Sequence, residues 1–279
     1  MRAGLGGYTR PEILLRQALG LVLPRRCPFC GQVLGWAPQC PDCAGMLKNR
    51  ARHPQGRNLP LSGIQPGTLA WAASAFWYEG TVRSAIRQTK YDRKPWIAVQ
   101  LGCLLAQQMF GVRVDVRGGV EIPRPAADPV TDCDLIVPMA SSGRGRAYNV
   151  PALMAYPLGH GLGIPVDEAA LLRTRRGTAQ AGLSGQERVI NAMGLFRADA
   201  DRVAGRRVLL LDDVITTGST VSAAAQALLY AGAEWVGAVS FAVPWENQTL
   251  PAYPGIPFEG RGEGQWEDAG PEEDEEIPF

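Results

Sequence analysis

The chain predicts an α/β fold, a parallel sheet with helices on both faces, joined to a small four-cysteine zinc module near its start. Three observations carry this. From residue 134 onward, short apolar β-favouring runs alternate with longer helical ones, the pattern of strands joined by crossover helices. The segment 208–220, VLLLDDVITTGST, runs from an apolar strand through a Gly/hydroxyl loop into an Ala-rich helix. Cys27, Cys30, Cys40 and Cys43 form two C-x-x-C knuckles.

The expected organisation is an amphipathic helix over 1–24, the Cys₄ zinc-ribbon-like module over 25–48, a polar linker over 49–67, the α/β domain over 68–245 and an acidic disordered tail over 246–279. With 279 residues, 46% apolar and 20% charged, the chain has an ordinary globular composition. No run approaches the roughly 20 apolar residues of a membrane span. Residues 13–23 are interrupted by Arg16 and Gln17, with no cleavage site after them. No stable membrane insertion and a cytoplasmic location are therefore expected.

The net charge of +1 hides an asymmetry: residues 263–279 hold eight of the 27 acidic residues, leaving 28 basic against 19 acidic elsewhere, a net of +9. Such a body favours an anionic ligand, nucleic acid included. The tail either competes for that surface or serves only as a solubilising segment.

Element by element, residues 69–78 are aromatic-rich and strand-like, and 81–91 read as a helix with Arg83, Arg87 and Lys90 on one basic face. Pro95 opens a helix to about 110. Residues 111–132 read as an extended surface insertion. A buried strand follows over 135–138, a helix over 149–162 and a short strand over 164–166. A strong strand spans 207–212, a helix 219–231 and a last strand 235–243.

The strand over 207–212 delivers Asp212 and Asp213 to the carboxyl edge of the sheet, where open α/β sheets bind ligands. Gly218 permits a tight turn, and the N–H groups of Thr216, Thr217, Gly218, Ser219 and Thr220 can form an anion nest at the positive end of the next helix. A phosphate fits that loop; paired carboxylates just before it suit vicinal hydroxyls. In the cysteine module, four thiolates complete a tetrahedral metal site with no open position, so a zinc ion there is structural rather than catalytic. Two disulfides are the alternative, disfavoured in a cytosolic chain. Cys103 and Cys133 read as buried apolar residues, and His53 and His160 sit in no motif.

VLLLDDVITTGST resembles the 5-phosphoribosyl 1-pyrophosphate (PRPP) signature of type I phosphoribosyltransferases, which have a Rossmann-like fold. With CPFC…CPDC, AIRQTKYDRKP, DLIVPMASSGRGRAYN and LRTRRGTAQAGLSGQERVINAMGLF in this order, the resemblance narrows to the ComF (ComFC-like) branch associated with competence and DNA uptake. It implies that Asp212 and Asp213 bind the ribose hydroxyls, that Thr216–Thr220 cradle the 5′-phosphate, and that Mg²⁺ accompanies PRPP. It places Ser141, Ser142, Arg144 and Arg146 on the pyrophosphate, and Arg173, Arg175 and Arg188 in a hood that closes over the site. Solvated surface charge and an ordinary loop are the plainer readings of these last two groups. Thr216 stands where 6-oxopurine members carry an acidic residue, which counts against hypoxanthine or guanine as acceptor.

Three functions are compatible with these features. One is an enzyme, a pentosyl-transferring glycosyltransferase that moves phosphoribosyl from PRPP to an acceptor and releases pyrophosphate. Another is a DNA-uptake factor that binds single-stranded DNA, with Tyr78 and Tyr91 beside the basic face as stacking platforms. The third is a regulator that binds PRPP without turnover.

Overall fold

A computed structural model describes residues 24–35, 37, 40–44, 63–92, 94–117, 119–127, 131–141, 148–174 and 195–244. The expected N-terminal helix, most of the linker, the acidic tail, and Ser142, Arg144, Arg146, Arg175 and Arg188 lie outside the described residues.

The elements are β1 (Trp71–Trp77), α1 (Gly80–Tyr91), α2 (Pro95–Phe110), β2 (Val114–Arg117), β3 (Val120–Pro123), β4 (Leu135–Pro138), α3 (Val150–Leu162), β5 (Leu171–Arg173), β6 (Phe196–Ala198), α4 (Ala200–Val203), β7 (Arg207–Val214), α5 (Ser219–Tyr230) and β8 (Trp235–Val243). Strands β1, β8, β7 and β4 form one sheet in that order, every pair parallel.

Both faces of this sheet are covered, so its central strands are apolar at almost every position rather than alternating. On one face Leu209, Leu211, Val239 and Phe241 pack with Ile86 of α1, Leu101 and Leu105 of α2, and Met154 and Leu158 of α3. On the other, Val208, Leu210, Val236 and Ala238 pack with Val221, Ala224, Ala225 and Leu228 of α5. Phe76 and Phe241 tilt against each other with ring centroids 4.9 Å apart. A buried polar pair inside the sheet is satisfied internally: Ser240 Oγ donates to Ser74 Oγ at 3.0 Å.

Glycine lets α2 and α3 cross closely. A Cβ at Gly102 would lie 2.4 Å from the carbonyl oxygen of Met154. Gly111 and Gly163, both with positive φ, end the two helices.

The crossover through α3 carries the chain outward from β4, to a single parallel bridge between Ile136 and Val166. The crossover through α5 runs the other way, from β7 to β8. Strand order therefore reverses between β4 and β7, and the crevice for a ligand opens at their carboxyl ends.

Three expectations are corrected. Residues 111–132 are not a plain surface insertion: β2 and β3 form an antiparallel hairpin whose Val120 and Glu121 are buried. Residues 164–166 contribute one bridge rather than a strand: Ile136 alone of β4 bonds this segment, its N–H donating to Pro165 O and its carbonyl accepting from the Asp167 N–H. The strand begun at Arg207 runs on through both aspartates to Val214, since β8 continues to pair with it. Sequence also missed the β5–β6 ladder, which brings Arg173 opposite Phe196 and so joins the two ends of the expected hood.

Candidate functional site

The crevice is built from the ends of β4 and β7, held in step by a hydrogen bond from the Met139 N–H to the Leu211 carbonyl at 2.8 Å. Beyond β7 the chain is anchored by buried Ile215, whose N–H donates to Ala242 O at 3.1 Å. It then turns through exposed Thr216 and Thr217 to Gly218, the N-cap of α5, at φ 83° and ψ −7°. That left-handed conformation suits glycine. The N-cap Gly218 has no side chain to cap the helix, and the Ser219 N–H makes only a long contact of 3.5 Å with Thr217 Oγ1, so the positive dipole end stands toward an anion. Hydroxyls at Thr217 and Ser219 lie 3.1 Å apart beside it.

The two aspartates are held differently. Asp212 Oδ1 accepts from the Asp213 N–H at 2.8 Å, and Asp213 Oδ1 accepts from the Val214 N–H at 2.8 Å. The other oxygen of Asp213 meets Lys90 Nζ at 2.8 Å. Burial, and then the Asp213 carboxylate beside it, push Asp212 well above the usual carboxylate range, with the Asp213 N–H and Lys90 opposing. Asp212 can thus keep a proton and donate, while the lysine-paired Asp213 accepts, two roles that suit a pair of neighbouring hydroxyls.

Two further segments close on this region, neither legible in sequence. Lys90 was expected on one basic face with Arg83 and Arg87; it turns instead to Asp213, and the end of its helix is fixed by Tyr148 Oη donating to Thr89 O at 2.6 Å. Residues 63–68 strap the loop: the Gly63 N–H donates to Thr217 O at 2.8 Å, the Gln65 N–H to Ser222 Oγ at 3.1 Å, and Thr68 Oγ1 lies 3.0 Å from Ser222 Oγ. A Cβ at Gly63 would fall 2.1 Å from Ser219 Oγ, so only glycine fits there. The end of the expected linker therefore belongs to the site.

Of the other expected site residues, Ser141 is exposed just beyond β4. Arg173 sits at the foot of the β5–β6 ladder, its guanidinium 5.4 Å from the centre of the Phe196 ring.

The cysteine module forms a second centre. Cys27 and Cys43 sulfurs are 3.8 Å apart, those of Cys30 and Cys40 3.6 Å, and all four lie within 4.8 Å of one another. A disulfide requires about 2.05 Å, whereas four ligands about 2.3 Å from one tetrahedral ion stand about 3.8 Å apart. The four cysteines fit a metal ion. Burial raises the Cys27 and Cys43 thiols, so thiolates there call for a cation among them. Cys103 and Cys133 are buried elsewhere, as expected.

Residues 133–252 match the Phosphoribosyl transferase domain family. Over 225 residues the chain is 32% identical to the DNA utilization protein YhgH of Salmonella typhi, covering 80% of this chain and 92% of that one. It is 35% identical over 221 residues to Competence protein F of Haemophilus influenzae, covering 75% and 86%. It is 29% identical over 131 residues to an adenine phosphoribosyltransferase of Mycolicibacterium gilvum, covering 46% and 66%.

Proposed function

Since this chain belongs to the family of the DNA utilization protein YhgH and Competence protein F and carries a phosphoribosyl transferase domain, we propose that the crevice between β4 and β7 binds PRPP and transfers its phosphoribosyl group. The observation that carries this is the uncapped, glycine-turned start of α5 directly after two carboxylates. The N–H groups and hydroxyls of Thr216, Thr217, Gly218, Ser219 and Thr220 take the 5′-phosphate. Asp212 and Asp213 take the ribose hydroxyls. Ser141, with Ser142, Arg144 and Arg146, faces the pyrophosphate, and Arg173, Arg175 and Arg188 belong to the segment that covers it.

An acceptor nucleophile attacks C1 of the ribose as the bond from C1 to the pyrophosphate oxygen breaks, and pyrophosphate leaves with the electron pair. The protein supplies position and charge stabilisation. Magnesium bound with PRPP would supply positive charge for the leaving pyrophosphate. Zinc is the metal that best suits Cys27, Cys30, Cys40 and Cys43, and its role is structural.

Isothermal titration with Mg-PRPP tests the site. Micromolar binding is expected for the native chain and none for the Asp212→Ala/Asp213→Ala pair. Equal affinity in both would remove the assignment.

A second reading, binding of single-stranded DNA in its uptake or use, is favoured by the outer face of α1. There Arg83 lies 6.0 Å from the Tyr78 ring and Arg87 5.6 Å from the Tyr91 ring, with Tyr91 exposed. Stacked rings and cations on one surface suit sequence-tolerant binding of bases and phosphates. Fluorescence anisotropy with labelled oligonucleotides tests it, and no binding at low salt would exclude it.

A further inference from the structure

The Lys90 ammonium stands 2.8 Å from Asp213 Oδ2 in a largely enclosed position, its side chain 18% exposed and that of Asp213 8%. It comes from α1, an element that precedes the matched domain by more than forty residues. The end of α1 is not loosely placed. Thr89 is fully buried, its hydroxyl donates to Ile86 O at 2.7 Å, and its carbonyl accepts from Tyr148 Oη, which follows the loop after β4. Ile86, one turn back, is fully buried against the sheet. The helix end is thus fixed by Tyr148 and by the core beneath it, and Lys90 is delivered to one carboxylate oxygen from a fixed backbone.

Asp212 and Asp213 are adjacent carboxylates, the first partly buried and the second buried, and like charges so close disfavour each other without a cation. With Val214 N–H on Oδ1 and Lys90 on Oδ2, the Asp213 carboxylate is fixed in plane and aim. We propose that Lys90 is a positioning residue of the ribose site: through Nζ it holds Asp213 for the ribose hydroxyls, and so sets the affinity for PRPP. This rests on the reading of the crevice as a PRPP site. It also gives α1 two jobs, since Arg83 and Arg87 occupy its outer face while Lys90 serves the crevice.

Removing the ammonium leaves the buried Asp213 carboxylate beside Asp212 without its cation, and the hydrogen bond to a ribose hydroxyl loses its charge assistance, worth about tenfold or more in affinity. The test is a double-mutant cycle read by isothermal titration with Mg-PRPP on the full chain: native, Lys90→Met, Asp213→Asn, and the two together, with Lys90→Arg as the conservative variant. Lys90→Met is expected to weaken binding about tenfold or more, Lys90→Arg to restore most of it, and the double variant to bind no worse than Asp213→Asn alone. A purely structural role gives neither the rescue nor the lack of additivity. If melting curves show Lys90→Met unfolded, Lys90→Gln replaces it in the same cycle, with the same loss expected. Native affinity in the neutral variant, or an equal penalty in the Asp213→Asn background, overturns the assignment while leaving the PRPP site intact. No binding by the native chain overturns both.

Discussion

Arg25 of the cysteine module pairs with Glu121 of β3, and both side chains are almost wholly buried, at 4% and 8% exposure. The same Glu121 oxygen accepts from Gln100 Nε2 of α2 at 2.9 Å, and Gln100 also donates to Arg26 O at 3.2 Å. Arg25 in turn donates to Ala37 O at 2.6 Å inside the module. The cysteine module is thereby keyed into the α/β domain rather than tethered beside it. Breaking a buried pair leaves an uncompensated charge, so Glu121→Ala should cost about 3–5 kcal/mol in denaturant unfolding. Metal removal by a strong chelator should lower the melting temperature of the whole chain. A chelated protein that melts as before would show that the module contributes nothing to the domain.

At the crossing of α2 and α3 the backbones meet at Gly102. A methyl group there strikes the Met154 carbonyl, and the helices must separate against a packed core. Gly102→Ala should destabilise by about 1–3 kcal/mol, checked by urea unfolding. No loss of stability would mean the two helices pack less closely than described.

His160 on α3 is half-buried, and that burial holds its imidazole below the ordinary value of about 6.5. The unfolded chain takes up a proton below about pH 6.5, whereas the folded chain resists it until a lower pH. The contribution is complete above that pH and is lost as pH falls through the folded value. Melting temperatures from pH 7.5 to 5 should fall less steeply for His160→Gln than for the native chain. Parallel curves would count against a buried neutral imidazole.

Arg83 and Arg87 each present a guanidinium on an aromatic ring at the surface. If they contact phosphates, Arg83→Ala and Arg87→Ala should each weaken oligonucleotide binding about equally across sequences. Each should also reduce the slope of log affinity against log salt by about 0.7–1. An unchanged slope in both would move the nucleic-acid contact to another surface.

Much of this architecture can be read from local pattern. Strand β8 lies where its continuous apolar run places it, and α2 runs from Pro95 to Phe110 as its opening proline and following Gly111 indicate. The phosphate loop is equally local, because strand, glycine turn and helix are consecutive in the chain. The hairpin of β2 and β3 did carry a signal: Val114, Val116, Val120 and Ile122 alternate on either side of a Gly-Gly dipeptide in the sequence, a pattern that signals a hairpin. Lys90 and Gly63 carried none. Their partners, Asp213 and Thr217, lie more than a hundred residues away in sequence, and helical periodicity placed Lys90 with the surface arginines. Periodicity reports which face a residue occupies; it cannot report which distant carboxylate draws one long side chain across the helix end.

Among the described residues the first strand of the sheet pairs only with the last: β1 lies along β8, from Trp71 opposite Gly237 to Trp77 opposite Val243. On the ribosome, β1 therefore has no strand to pair with until residue 243 has emerged from the exit tunnel. Closure of so distant a pair is slow in entropic terms, and an unpaired edge is exposed meanwhile. Any truncation that trims β8 should release β1 as well, and with it the helix that carries Lys90.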